Sequence, residues 1–577
     1  MLTLAHVTHE AVRQAGGIGT VLRGLITADA YQSAVGRTLL IGPLIQEEGR
    51  DEPLGGDGEV LYDQMHGIWS DEVGSAIRQV EMHFGVGLVY GRRPLRHEGH
   101  EVWVEVLLVD TSIEPFGLGD FKYYLSHEMG IDSRRYEHEW EYEQYLRLSE
   151  PGYAGLVALL GDRADPCHVL AHEFMGLGFA YKTIMVGDPR FKTLFYAHEV
   201  ATVRPLVEDR PGRDVSFYNA LRRGRAEGAY IERYYGPQDS FFKHALVRQA
   251  WRCDAVLAVG DLVVEELRFL GAEFAEREID LVYNGVPAVE LSTKEKAVAA
   301  DKLKGLCGNL LGWQPDWVFT HVTRLVRSKG LWRDLLVLEH IDEILVERGQ
   351  RAVLIALTSE VGRRSPEAVR AMEAEYGWPL VHREGWPDLS SAELEFDLLV
   401  RSFNARSRSV RVLFVNQFGW DRTSCGDWVP EDISFADLRR GCDVEFGQSI
   451  YEPFGIAQVE PLGFGAVSVV SDVCGCVGFV DRSQPAGGRF DGLIVGNYTQ
   501  LSVEQDSIEP WQIGDEISAR VEKEQGRIVA EALAVRLQVG PQKRAARLRA
   551  GYETASAMSW ERVAADWLVP VLGRLQQ

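Results

Sequence analysis

The chain has 577 residues, room for two large or four small domains at roughly 150 residues each. Its 61 Lys and Arg against 85 Asp and Glu leave a net charge of -24, which argues against a nucleic-acid binder and disfavours an anionic membrane surface, since both need clustered cations. With 46% hydrophobic and 25% charged residues the composition is that of a globular protein, and no apolar run is long enough to span a bilayer. The opening MLTLAHVTHE lacks a basic segment followed by a long apolar core, and seven scattered cysteines suit a reducing compartment, so a cytoplasmic protein is expected. In chain order, β-branched or Leu-rich runs mark strands at 2–7, 37–42, 101–109, 167–171, 192–197, 255–259 and 279–283. A helical stretch at roughly 289–312 follows, and a second series of strands occupies 317–325, 352–359, 410–416, 442–449 and 466–471. Longer amphipathic segments lie between the runs, the pattern of parallel sheets covered by helices. The expected class is α/β, with two Rossmann-like doubly wound domains facing across a cleft, where ligands bind beyond the carboxyl ends of the strands. The expected boundaries are 1–290 for the first domain, 291–316 for a linker, 317–555 for the second, and 556–577 for a C-terminal helix returning to the first.

Four constellations carry chemistry. QAGGIGTVLRGL (14–25) follows the first strand, where Gly16, Gly17 and Gly19 permit positive φ and close backbone approach, and the helix start behind them favours a phosphate or sugar oxygen. The same residues also suit an ordinary tight turn, and Leu22 stands where a dinucleotide fingerprint needs glycine. RLVRSKG (324–330) places Arg324 and Lys329 in one turn after a strand, a fork and a point charge able to converge on phosphate, or a solvated basic turn. SIYEPFGIAQVEPLGFG (449–465) is the most specific. It reads as a strand end turning into a helix, with Pro453 and Gly455 at the turn and Glu452 and Glu460 on related helical faces, acceptors suited to sugar hydroxyls. Lastly, His172-Glu173 and His198 each lie just past a strand end, where an imidazole can hydrogen-bond a sugar or serve as a core residue. His168 and His172 have no intervening catalytic Glu and no evident third ligand, and no Asp-x-Asp pair is present, so no metal and no cofactor is expected.

Taken in order along the chain, these segments resemble a GT-B glycosyltransferase, and more closely the eukaryotic-type glycogen synthase family. HEAVRQAGGIGTVLRG resembles the family's glycine loop, while HVLAHEFMGLG, YAHEVATVR and LVYNGV resemble landmarks of its first domain. FADLRRGCDVEFGQSIYEPFGIAQVEPLGFG and SVVSDVCGCVGF resemble its donor region, and the likeness covers about 1–290 and 315–570. The resemblance implies catalytic roles for Glu452, His198, Arg324 and Lys329. It implies donor binding by Gly16, Gly17, Arg204, Asn284, Phe454, Gly455 and Glu460, and acceptor binding by His172 and Glu173. Arg324 and Lys329 match the cations on the donor diphosphate, Glu452 the contact to the transferred glucose, and Glu460 the hold on the ribose. Two features depart from the pattern: Gln14 stands where the glycine loop usually has lysine, and the Arg324-to-Lys329 spacing is one shorter than in the eukaryotic type. KRAARLR (543–549) matches the glucose 6-phosphate-sensing arginine cluster only in part, so no effector site is assigned.

The function implied is transfer of glucose, with retention and without metal, from a nucleotide-glucose (UDP-glucose by the overall likeness) to the non-reducing end of an α-1,4-glucan such as glycogen. The expected partners are that donor and an α-glucan, with no nucleic acid and no membrane; self-association into a homo-oligomer stays open. Two alternatives stand beside it: a GT-B transferase with a small sugar or glycoside acceptor, and an inactive sugar-binding assembly subunit.

Overall fold

Two sheets organise the computed structural model, which describes residues 2–13, 16–45, 52–69, 71–161, 165–484, 490–501 and 508–576. The first sheet holds β1 (Thr3–Val7), β2 (Arg37–Pro43), β3 (Glu59–Asp63), β4 (Leu88–His97), β5 (His100–Val109), β6 (Cys167–His172), β7 (Phe191–Ala197), β8 (Ala255–Ala258) and β9 (Asp280–Leu281). Their order is β3-β4-β5-β2-β1-β6-β7-β8-β9. Every pairing from β5 through β9 is parallel, and only the β3–β4 and β4–β5 pairs at one edge are antiparallel. The second sheet is wholly parallel, with β10 (Trp317–Arg324), β11 (Ala352–Ser359), β12 (Val410–Val415), β13 (Val444–Gly447), β14 (Val467–Ser471) and β15 (Leu493–Gly496) in the order β12-β11-β10-β13-β14-β15. The central strands are buried along their whole length, as in TLAHV of β1 and AVLIALTS of β11, because helices cover both faces of such a sheet.

The chain divides into two units. Unit 1 comprises Met1–Val203, Arg223–Gly285 and Trp560–Gln577; unit 2 comprises Arg204–Arg222 and Val286–Ser559. The stretch 291–316, expected as a linker, is instead part of unit 2. A capping box on Ser292 and Glu295 starts the helix Thr293–Leu311, and its Leu303, Leu306 and Cys307 are buried in a core with Val318, Val353 and Leu413. In unit 1 the indole of Trp560 lies against Gly24 and Gly285, where an added Cβ would come within 2.2 and 2.5 Å of the ring.

Three strands escape the hydrophobic pattern. β3 is a five-residue edge strand and β15 has four residues. β4 carries three arginines, Gly91 and Pro94, yet it pairs with β5 along its whole length. The two-residue turn between them uses Glu98 at φ 47° and Gly99 at φ 86°, the left-handed pair that a tight hairpin needs. All seven cysteines are free and buried, and among the described residues no helix is long and apolar enough to cross a membrane.

Candidate functional site

In unit 2 the loops at the carboxyl ends of β10, β13 and β14 interlock. β10 ends at the exposed Arg324, and the chain makes a single 3₁₀ turn, Arg327–Lys329, before the helix Leu331–Arg348. Gly330 joins turn and helix at φ 62°, and a Cβ there would lie 2.5 Å from the Gln448 carbonyl oxygen. The carbonyl of Ser328 accepts from Ile450 N at 2.8 Å, which docks this turn onto the loop after β13. Docking places Lys329 Nζ in an ion pair with Glu452 Oε2. Gln458 Nε2 donates to the same carboxylate oxygen at 3.1 Å and to Ser449 Oγ at 3.0 Å. Arg204 Nη1 donates to Ser328 Oγ at 3.1 Å, and its guanidinium lies over the Tyr451 ring at 5.3 Å.

Glu452 and Glu460 are not on one helix, contrary to the sequence expectation. Residues 452–454 are extended and held by the loop after β14: Gly475 N donates to Glu452 O and Cys476 N to Phe454 O, both at 2.9 Å. A helix of only four residues begins at Ile456, because Gly455 breaks the chain at φ 93°. Gly475 is obligatory, since a Cβ there would stand 1.7 Å from the Pro453 carbonyl oxygen. The Phe454 ring is buried and packs 6.2 Å from Phe479. Glu460, partly exposed, accepts from Arg439 Nε at 3.0 Å. Arg439 is wholly buried, donates also to Glu445 at 3.0 Å and to the Ala457 carbonyl, and its pKa is held up by Glu445 and Glu460 against the cost of burial.

Unit 1 holds the remaining expected residues. Gly17 starts the helix Ile18–Ile26 at φ -82°, and neither it nor Gly16 takes positive φ, so the predicted conformational role is wrong. Gly16 serves closeness instead, since a Cβ there would sit 2.9 Å from Glu10 Oε1, whereas one on Gly17 would meet nothing within 4 Å; Glu10 Oε2 accepts from Gly19 N at 2.8 Å. A buried carboxylate already occupies the helix start that was expected to take a phosphate. Gln14 lies outside the described residues. Asn284 is buried with an Oδ1 that has no partner among the described residues.

His172 cannot touch a sugar as expected. It is fully buried, its Nε2 bonded to His6 Nδ1 and its Nδ1 to His198 Nε2, each at 2.9 Å. Glu173, also buried and at φ 57°, spends Oε1 on Glu199 N at 2.6 Å and so fixes the loop that carries His198. His198 is half-buried, and desolvation lowers its pKa to about 3, as it does for His6; His172 is driven well below 6.5 by the same cause. All three rings are therefore neutral at physiological pH. HVLAH lies on β6, where a spacing of four does not bring His168 and His172 together as on a helix.

Sequence reasoning missed Arg439, Gln458, His6 and Tyr31. Arg439 and Gln458 stand within quoted segments as charged and polar residues among apolar neighbours, the available signal. His6 and Tyr31 become visible only once β1 and β6 are paired, His6 beside Leu170.

No family model matches the chain, and no curated protein matches it. Solved structures do. A trehalose-6-phosphate synthase from E. coli bound with UDP-2-fluoro glucose is 14% identical, with a TM-score of 0.51 over 100% of this chain and 99% of that one. The catalytic domain of starch synthase IV from Arabidopsis thaliana, bound to ADP and acarbose, is 13% identical with a TM-score of 0.51 and the same coverage. An α,α-trehalose-phosphate synthase from Burkholderia xenovorans in complex with glucose-6-phosphate is 14% identical, with a TM-score of 0.50 over the whole of both chains. The α/β fold with two parallel-sheet units is thus that of GT-B glycosyltransferases.

Proposed function

We propose that this chain is a retaining glycosyltransferase that moves glucose from UDP-glucose to the non-reducing end of an α-1,4-glucan. The observation that carries the reading is the Lys329–Glu452 ion pair, formed where the carboxyl-end loops of β10 and β13 meet, while Glu460 is held by Arg439. Ligands of doubly wound sheets bind at such strand ends. An ammonium has three N–H donors, so Lys329 can keep one on Glu452 and turn the others to a diphosphate oxygen. As the glycosidic bond breaks, negative charge grows on the departing diphosphate, and in this reading Arg324 and Lys329 offset it. Glu452 accepts from hydroxyls of the transferred glucose, and Glu460, its geometry fixed by Arg439, accepts from the ribose. The acceptor hydroxyl attacks from the face the diphosphate leaves, which preserves the anomeric configuration.

A second reading, transfer to a small sugar phosphate, is favoured by a cavity of about 380 Å³ in unit 1 lined by Arg23, Arg93 and Arg96 with the glycine-rich loop 55–58, whose Asp57 pairs with Arg96, with Arg23 and Arg93 the cations for a phosphate. Glucose-6-phosphate is the ligand of the Burkholderia xenovorans structure. Incubation with UDP-glucose and either maltoheptaose or glucose 6-phosphate, reading released UDP and product linkage, decides between them. Elongated glucan supports the first reading; a phosphorylated disaccharide supports the second; UDP release with neither acceptor removes both.

A further inference from the structure

A single file of hydrogen bonds crosses unit 1. Thr38 Oγ1 and Tyr31 OH are 3.0 Å apart, and Tyr31 OH and His6 Nε2 are 2.9 Å apart. The two links His6 Nδ1 to His172 Nε2 and His172 Nδ1 to His198 Nε2 are 2.9 Å each. The imidazole centroids are 5.2 Å apart at each step, with the planes 22° and 8° from parallel. That spacing exceeds the N···N distance by the two ring radii, so the rings meet edge to edge with lone pairs in plane, as hydrogen bonds require. Tyr31, His6 and His172 are fully buried. The file ends at His198 Nδ1, which has no partner among the described residues. The adjacent Tyr196 ring lies 4.2 Å from His198, but its hydroxyl is spent on the Val282 carbonyl at 2.7 Å.

A neutral imidazole has one N–H and one lone pair, so each link needs one of each and the whole file must point the same way. If Tyr31 donates to His6, every ring carries its proton on Nδ1 and His198 ends as a donor. If the file runs the other way, His198 Nδ1 is a bare lone pair. The phenol settles the direction: an imidazole nitrogen is a stronger acceptor than the Thr38 hydroxyl, so the Tyr31 proton goes to His6 and Thr38 donates to Tyr31. We propose that Tyr31, His6 and His172 are positioning residues that lock His198 in the Nδ1–H tautomer, so that it donates a hydrogen bond to a sugar oxygen of the substrate. The role toward sugar rests on the transferase reading; the tautomer lock does not.

The test uses the full chain with ring-¹⁵N histidine, read by long-range ¹H–¹⁵N correlation and assigned by single substitutions. Three neutral rings with the proton on Nδ1 are expected at His6, His172 and His198. His172→Leu removes the donor to His198 Nε2, so the His198 signal should move toward the Nε2–H form. Turnover of UDP-glucose should then fall about tenfold, the scale of one neutral hydrogen bond, with UDP affinity unchanged. His172→Gln can still donate to His198 Nε2 and should restore both tautomer and turnover. Tyr31→Phe, which keeps the ring volume, should mix the tautomers without abolishing folding. An Nε2–H or doubly protonated His198 in the parent chain overturns the proposal, as does a changed tautomer in His172→Leu with undiminished turnover. The expected tautomers in a chain that turns over no nucleotide sugar support the lock and remove the transferase reading alone.

Discussion

Removing the Lys329 ammonium tests the centre of unit 2. Its side chain is 17% exposed and that of Glu452 11%, between the regime of surface pairs worth about 0–1 kcal/mol and that of buried pairs costing about 3–5 kcal/mol when one partner is lost. In Lys329→Met the Glu452 carboxylate keeps the 3.1 Å bond from Gln458 but loses its cation. One charge-assisted hydrogen bond sets the scale, about 1.5–3 kcal/mol. In Glu452→Leu the ammonium loses its acceptor, so each single change removes the pair. A double-mutant cycle by urea unfolding isolates the coupling, expected at about 1.5–3 kcal/mol; sums that agree within about 0.5 kcal/mol would show that the two groups do not interact. By calorimetry, Lys329→Met should weaken UDP-glucose binding at least tenfold, because in the proposed function this ammonium bonds the diphosphate. Unchanged affinity would refute the assignment even if the coupling were found.

Other consequences can be measured separately. Gly475→Ala forces the Glu452–Phe454 segment off its anchor and should abolish turnover while far-UV circular dichroism is retained; full activity would mean that this segment is not part of the site. Arg439→Met strands Glu445, which has no exposure, and should lower stability by about 3–5 kcal/mol, with part recovered by adding Glu445→Gln; a melting temperature within error of the parent's would contradict the buried-pair account. Stability should also fall on acidification. The folded pKa values of His6 and His172 lie below the unfolded value near 6.5, so the unfolded chain binds more protons and their contribution is lost as pH drops below about 6.5, by roughly 1.4 kcal/mol per pH unit for each ring. Urea midpoints between pH 6.5 and 5 read this slope, and His6→Phe should flatten it by one ring's share; an unaltered slope would mean that His6 titrates normally.

The twelve strands expected from hydrophobic runs are all present, β9 as only two residues; most are parallel strands buried on both faces, which have to be apolar throughout, a signal that needs no partner to be read. β4 and β15 escaped for the converse reason: an antiparallel strand next to the sheet edge tolerates Arg92, Arg93 and Pro94, and four residues are too few to stand out. That Lys329 and Glu452 serve one ligand was implied by the family resemblance, and each motif was legible as a turn one loop past a strand end. Their surroundings were not. Glu452 lies ahead of the helix rather than on it, and nothing short of the loop after β14 says so, because the extended form depends on backbone bonds from Gly475 and Cys476, which lie more than 20 residues away. His172 looked like a ligand contact because it ends a strand, yet His6 and His198 take both of its nitrogens. Such contacts are set by which strands pair, not by the residues next to His172 in the chain.

The most direct measurement is a crystal structure of the protein soaked with UDP-glucose. The account predicts diphosphate oxygens within hydrogen-bond reach of Arg324 and Lys329, ribose hydroxyls on Glu460, and glucose hydroxyls on Glu452. A nucleotide sugar bound away from these four side chains, or none bound at millimolar concentration, would contradict it.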